Sequence, residues 1–253
     1  MALREELEKQ GNWLFRWRSY LPLVLLPMLL ILLKDSEHVE RLAGDRDLSD
    51  GFWEVCCLAI SFLGLAVRCI TVGCAAEGTS GRNTKRQKAE TLNTAGMYSV
   101  VRHPLYLGNF IIILGMTLFV EVWWFTLIVV LAFWLYYERI IFAEEEFLRK
   151  TFADSYLKWA EQTPTFLPKC KNWKKVNLPF SFRTVLKREY SGFFAIIVYF
   201  TSMKVARALF SEGKLELDLA WATLFIIGLI IYLTLRTLKR KTKILNSQEK
   251  VKR

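Results

Sequence analysis

Five mainly apolar runs constrain this chain more than any other feature: Tyr20 to Leu33, Gly51 to Gly73, Leu107 to Tyr137, Gly192 to Phe210 and Leu219 to Leu235. A helix rising 1.5 Å per residue needs about 20 such residues to cross the ~30 Å of bilayer hydrocarbon, where an open backbone has no water to satisfy it. The first run is short. To span, it needs Trp13, Leu14 and Phe15 in front of it, with Arg16 and Arg18 snorkelling. The third run, at 31 residues, is too long for one crossing, and Glu121-Val122-Trp123-Trp124 near its centre has the character of an interfacial turn. It predicts a helical hairpin whose arms begin near Pro104 and continue past Glu138 towards Lys150. The expected fold is all-α: a polytopic membrane helix bundle of about six spans.

Composition removes several classes of function. With 53% hydrophobic residues the chain is not disordered. Of five cysteines, four sit in or beside one apolar run (Cys56, Cys57, Cys69, Cys74), which gives neither a disulfide framework nor a C-x-x-C metal pair. None of the 13 glycines is spaced as G-x-G, so neither a Rossmann fingerprint nor a P-loop can be built. A cleaved signal is not expected either, because Glu5, Glu6 and Glu8 spoil a basic n-region and no small-x-small site follows Leu33.

The net charge of +11 is explained by threading and does not require nucleic acid. With both termini cytoplasmic, 28 of the 35 Lys and Arg fall on inner segments and four (Lys34, Arg41, Arg46, Lys214) on outer loops, a strong positive-inside bias. Arg68, Lys204 and Arg207 lie near span ends, where snorkelling accounts for them. Pro164, Pro168 and Pro179 prevent the basic stretch Pro164 to Arg188 from being one helix, and it is expected along the inner surface.

Chemistry has one place to sit. The inner loop Gly81 to Asn109 is long, lacks apolar periodicity until Val100 and runs straight into a membrane helix. Pro104 suits the first turn of that helix, and Tyr98 and Tyr106 suit an interface. His103 has no second His, Cys or carboxylate at metal-ligand spacing, so no metal is expected. By composition alone the acidic trio Glu144, Glu145 and Glu146 reads as a solvated helix face.

Taken in order, Thr94-Ala-Gly-Met-Tyr98, Arg102-His-Pro-Leu-Tyr-Leu-Gly108, a hydrophobic hairpin, Glu144-Glu-Glu-Phe-Leu148, Phe152-Ala-Asp-Ser-Tyr156 and Pro164-Thr-Phe-Leu-Pro168 resemble the isoprenylcysteine carboxyl methyltransferase family of integral membrane enzymes. The resemblance covers about residues 80 to 170. It implies S-adenosylmethionine as cofactor. It also implies a division into N-terminal spans (1–75), a methyltransferase core of cofactor loop, hairpin and interfacial helix (76–170), and a surface segment with two further spans and a basic tail (171–253).

Position by position, the resemblance implies cofactor contacts at Asn83, Glu90, Thr91, Leu92, Asn93, Tyr98, His103, Pro104, Leu105, Tyr106 and Glu144. Glu90 stands where the animal enzymes carry histidine. Arg139 is the candidate for orienting the acceptor, although it precedes Glu144 by five residues where the family's arginine precedes by four. That shift moves it from about 40° to about 140° around the helix. Arg102 and Arg149 are the next cations to consider.

Methyl transfer by in-line displacement needs mainly positioning, and a phosphate or carboxylate acceptor is already ionised at neutral pH. No general base is required. The run Ser80 to Lys85 with Leu92 to Thr94 resembles a bacterial branch that methylates lipid A phosphate, which implies the bacterial inner membrane. A prenylated cysteine carboxylate, with an endoplasmic reticulum location, is the alternative acceptor. Two other classes are a membrane reductase using NADPH and a non-enzymatic transporter or scaffold. The Arg-His-Pro-Leu-Tyr spacing favours the methyltransferase over the reductase, and the lack of interrupted spans disfavours transport.

Overall fold

The computed structural model describes residues 2–18, 48–75, 89–213 and 217–242. The Tyr20 to Leu33 run, Asn83 and most of the acidic Asp35 to Asp50 loop lie outside them. The described residues are helical, with no strand among them. In chain order they form α1 (Leu3–Trp17), α2 (Leu48–Cys74), α3 (Met97–Val100), α4 (Pro104–Leu118), α5 (Trp123–Gln162), a 3-10 turn (Cys170–Asn172), α6 (Phe182–Glu212) and α7 (Leu219–Lys241).

The four apolar runs within these residues are all helices. Gly51–Cys74, Trp123–Gln162, Phe182–Phe210 and Leu219–Lys241 are each long and apolar enough to cross a membrane, and Pro104–Leu118 is a shorter apolar helix. Leu127, Ile128, Leu131 and Leu135 on α5, and Ile226, Ile227 and Ile230 on α7, are exposed. Such surfaces suit hydrocarbon as solvent.

The predicted hairpin is α4 and α5, and its turn spans Phe119 to Val122. Glu121 adopts φ 63° there. Arg207 of α6 ties the turn down by donating to the Phe119 carbonyl and pairing with Glu121 at 3.2 Å. Lys204 likewise pairs with Glu54 at 2.7 Å and Asp218 at 3.6 Å. Neither side chain snorkels, because each finds a carboxylate on a neighbouring element, which removes the cost of a lone charge at depth.

Small residues let α2 and α4 approach closely. A Cβ at Gly64 would stand 2.6 Å from the Gly108 carbonyl oxygen, and one at Gly115 would stand 2.5 Å from the Cys57 carbonyl. Backbones this close gain dispersion contacts that lipid cannot match. Ser61 donates to the Ile112 carbonyl at 3.1 Å across the same seam. Beside it, Cys57, Leu65, Phe119, Val129, Ile196, Phe200 and Trp221 form the larger core, joining the α6–α7 hairpin to α2 and the turn.

Helix α1 lies against the middle of α5 rather than standing apart. Its two buried residues are Gly11 and Phe15. Gly11 abuts the Arg139 backbone, and Phe15 packs with Tyr137, Ile140 and Ile141. Trp13, Leu14 and Phe15 therefore belong to a docked amphipathic helix. α5 itself breaks once, at Ala153 (φ 43°, ψ −119°), which turns its last residues back beneath the loop carrying α3.

Candidate active site at the start of the hairpin

Three elements converge where α4 begins: the loop through α3, the first turn of α4 and the stretch Arg139 to Glu146 of α5. Pro104 opens α4 at a position where its missing N–H costs nothing. The loop before it is clamped from below. Arg102 N–H donates to the Pro164 carbonyl at 2.9 Å, Lys169 N–H to Val100 O at 3.0 Å and Gly96 N–H to Lys174 O at 2.9 Å. Trp159 adds an indole bond to Tyr98 O at 3.0 Å. Gly96 is at φ 61°, and a Cβ there would meet Val176 at 2.7 Å, so only glycine suits this clamp.

His103 is buried with each ring nitrogen facing a carboxylate: Nδ1 lies 3.4 Å from Glu144 Oε2 and Nε2 lies 3.1 Å from Glu145 Oε1. Burial alone would favour the neutral ring. The hydrogen bonds and charges of Glu144 and Glu145 outweigh it and lift the pKa above the ordinary 6.5. An imidazolium donates from both nitrogens, as this geometry asks. Tyr106 donates its hydroxyl to Glu144 Oε1 at 2.7 Å and stacks on His103 at 5.8 Å between centroids. Tyr137 packs on Tyr106 at 4.6 Å. Tyr98 is half-buried nearby, and burial together with the Glu144 charge holds its phenol well above the usual range.

The acidic trio is not a solvated face. Successive side chains on a helix point about 100° apart, and each glutamate meets its own partner. Glu144 faces Tyr106 and His103, Glu145 takes Arg102 Nη1 at 2.9 Å on both oxygens, and Glu146 is buried beside Arg4 of α1 at 2.5 Å. Arg102 Nε is buried with no partner. Arg139 donates to Gln10 of α1. The only break in helical geometry within α5 is at Ala153, so nothing returns Arg139 to the Glu144 face. Arg149 is exposed.

The structure thus gathers His103, Tyr106 and Glu144 around one point, with Tyr98 close by and Pro104 setting the helix start. Leu105 is half-buried on the first turn. Glu90 and Thr91 are exposed, and Leu92 and Asn93 half-buried, on the approach to α3. No described hydrogen bond or ion pair joins Glu90 or Thr91 to the cluster.

Sequence reasoning missed two contributors. Asn109 receives Arg68 Nη1 at 2.5 Å and donates to the Tyr137 hydroxyl at 3.2 Å, and Arg68 in turn forks onto Glu189 of α6 at 2.8 and 2.9 Å. Arg68 is therefore paired, not snorkelling. The other contributor is α1, whose buried positions Gly11 and Phe15 are four residues apart. That spacing, continued by Leu3 and Leu7, was the available signal.

Residues 56–155 match the family model for phospholipid methyltransferases, a stretch that includes His103, Tyr106, Arg139 and Glu144. The chain is 39% identical over 123 residues to the cobalt-zinc-cadmium resistance protein CzcN of Cupriavidus metallidurans, covering 47% of this chain and 53% of that protein. It is 36% identical over 85 residues to protein-S-isoprenylcysteine O-methyltransferase of Schizosaccharomyces pombe, covering 34% and 36%. It is 30% identical over 131 residues to the nickel-cobalt-cadmium resistance protein NccN of Alcaligenes xylosoxydans, covering 52% and 59%. The chain therefore spans from about a third to about three fifths of these relatives' own length. No solved structure matches.

Proposed function

We propose, from the match of residues 56–155 to the phospholipid methyltransferase family model and the likeness to the fission-yeast isoprenylcysteine methyltransferase, that the chain transfers a methyl group to an anionic group of a membrane lipid or lipidated acceptor. It is an integral membrane protein, and methyltransferases of this family use S-adenosylmethionine as donor. The observation that carries the reading is the cluster at the start of the hairpin, where Glu144 meets the Tyr106 hydroxyl and the His103 ring.

The donor set fits such a cofactor. A sulfonium accepts no hydrogen bonds and is best held by carboxylates and ring faces. Glu144, Tyr106 and Tyr137 supply both, and Tyr98 stands next to them. Glu144 and Glu145 together balance Arg102 and a protonated His103, so these four groups leave no net positive charge to repel a positively charged ligand. In the proposal Asn83, Glu90, Thr91, Leu92 and Asn93 cover the cofactor from the loop, and His103, Pro104 and Leu105 form its floor.

When bound, S-adenosylmethionine supplies an electrophilic methyl whose bond to sulfur breaks as the acceptor oxygen bonds to carbon. The chain then has to hold, orient and keep dry. Arg139, at the seam between α1 and α5 and on a different face of the helix from Glu144, is proposed to exchange Gln10 for the acceptor anion and orient it. The acceptor is proposed as lipid A phosphate at a bacterial inner membrane. The likeness to the fission-yeast enzyme favours a prenylcysteine carboxylate as the second candidate.

Separate kinetics test the assignment. Arg139→Lys keeps the charge and loses the planar fork, so it is expected to raise KM for the lipid acceptor much more than KM for S-adenosylmethionine. Glu144→Gln is expected to do the reverse. Wild-type kinetics in Arg139→Lys would remove the arginine from the acceptor site.

A further inference from the structure

Helix α7 lies outside the family-matched residues and ends on Arg236, Lys239, Arg240 and Lys241. No carboxylate among the described residues pairs with any of the four. Cations elsewhere in the bundle are handled differently: Arg68 is forked onto Glu189, Arg102 meets Glu145, Lys204 meets Glu54 and Arg207 meets Glu121. A helix C-terminus attracts cations with the equivalent of about half a negative charge, which falls well short of four.

Aromatic rings place two of these cations. Tyr232 of α7 stacks on Tyr190 of α6 at 5.5 Å between centroids and on Phe194 at 4.6 Å. Arg236 Cζ stands 5.8 Å from the Tyr232 centroid and Lys239 Nζ 5.0 Å from that of Tyr190. Both lie within the ~6 Å reach of a cation–π contact. Stacked rings thus hold together two like charges that are already neighbours at i and i+3 on the helix, and such charges repel unless an anion sits with them. Neither tyrosine hydroxyl has a partner among the described residues, so two O–H donors are also unspent. Arg236, Lys239 and both tyrosines are half-buried, while further along α7 Ile226, Ile230 and Leu233 are exposed and suit hydrocarbon. A ligand that matches both surfaces carries an anionic phosphate at one end and apolar chains at the other. We propose that this end of the α6–α7 pair binds the headgroup of an anionic phospholipid, its phosphate on the Arg236 guanidinium and the Lys239 ammonium and its chains along the exposed face of α7. The pairing of Glu189 with Arg68 and of Arg68 with Asn109 puts the start of α6, and with it the end of α7, at the same end of the bundle as the first turn of α4.

Native mass spectrometry of the purified full chain, titrated in detergent with dioleoyl phosphatidylglycerol or dioleoyl phosphatidylcholine, tests the site, because the two lipids share their chains and differ in net charge. The wild type is expected to take up phosphatidylglycerol more tightly. One basic side chain at an anionic headgroup is worth about fivefold in affinity, so Arg236→Gln with Lys239→Gln is expected to weaken phosphatidylglycerol about ten- to thirtyfold and to leave phosphatidylcholine unchanged. Arg240→Gln with Lys241→Gln removes the same net charge from side chains that no ring holds, and a clearly smaller loss is expected. Lys239→Gln alone, at about fivefold, carries the comparison if the first double variant does not fold. Equal loss in the two double variants, or equal binding of the two lipids by the wild type, overturns the site. Inorganic phosphate bound as tightly as phosphatidylglycerol overturns the lipid as its occupant.

Discussion

Ala153 adopts φ 43° and ψ −119° at the break in α5, a backbone region that L side chains rarely enter. Its side chain is exposed, so removing the Cβ forfeits no packing. Conformations of this kind cost roughly 1–3 kcal/mol for a residue with a Cβ and little for glycine. Ala153→Gly is therefore expected to raise unfolding stability by about 1 kcal/mol, since the added chain entropy of glycine offsets part of the relief. A thermal or denaturant midpoint below wild type would contradict this. Glu121 at φ 63° is a different case, because its carboxylate pairs with Arg207 and a glycine there would lose that tie. At this scale the sequence was readable where one residue type has one use: Pro104 at the first turn of α4 follows from its missing N–H. The Ala153 break was not, because a lone alanine between Phe152 and Asp154 gives no sign of an unusual backbone.

Helices here are joined through ion pairs as well as through apolar surface. Arg68 of α2 and Glu189 of α6 form a forked pair, 20% and 5% exposed, within the bundle. Removing one partner leaves an uncompensated buried charge, whereas removing both leaves an apolar contact. Glu189→Leu alone is expected to cost about 3–5 kcal/mol, and Arg68→Leu with Glu189→Leu much less. Unfolding in detergent, read as a double-mutant cycle, measures this. Equal losses in the single and double variants would show that the pair is not held as a unit. The spans themselves were legible because apolarity is local, and the hairpin turn was legible from Glu121-Val122-Trp123-Trp124. The partners of Arg68, Lys204 and Arg207 were not, since each stands on another helix and a single span reveals only a charge near its end. The docking of α1 escaped for a related reason. Its acidic residues speak only against a targeting signal, and two of its contacts, Glu8 with Lys150 and Arg4 with Glu146, reach across 142 residues.

Over the whole molecule, one end of the bundle is polar and aromatic while the sides are apolar. α1, the clamped loop through α3, the first turn of α4 and the broken end of α5 meet at that polar end. The proposed reaction requires a membrane-embedded acceptor and a water-borne cofactor to meet at such a place. His103, Tyr106 and Glu144 were found from the sequence only through the resemblance that ordered the motifs, because residues 38 apart carry no local signal of contact. The central claim is methyl transfer to an anionic lipid group, and the most direct test supplies purified protein, its own membrane lipids and S-adenosylmethionine bearing a deuterated methyl, followed by mass spectrometry of the lipids. One labelled methyl is expected on a phosphate or carboxylate oxygen of a lipid or lipidated acceptor, formed more slowly by Glu144→Gln when S-adenosylmethionine is held below saturation. Unlabelled lipids, or labelling that Glu144→Gln leaves unchanged, would contradict it.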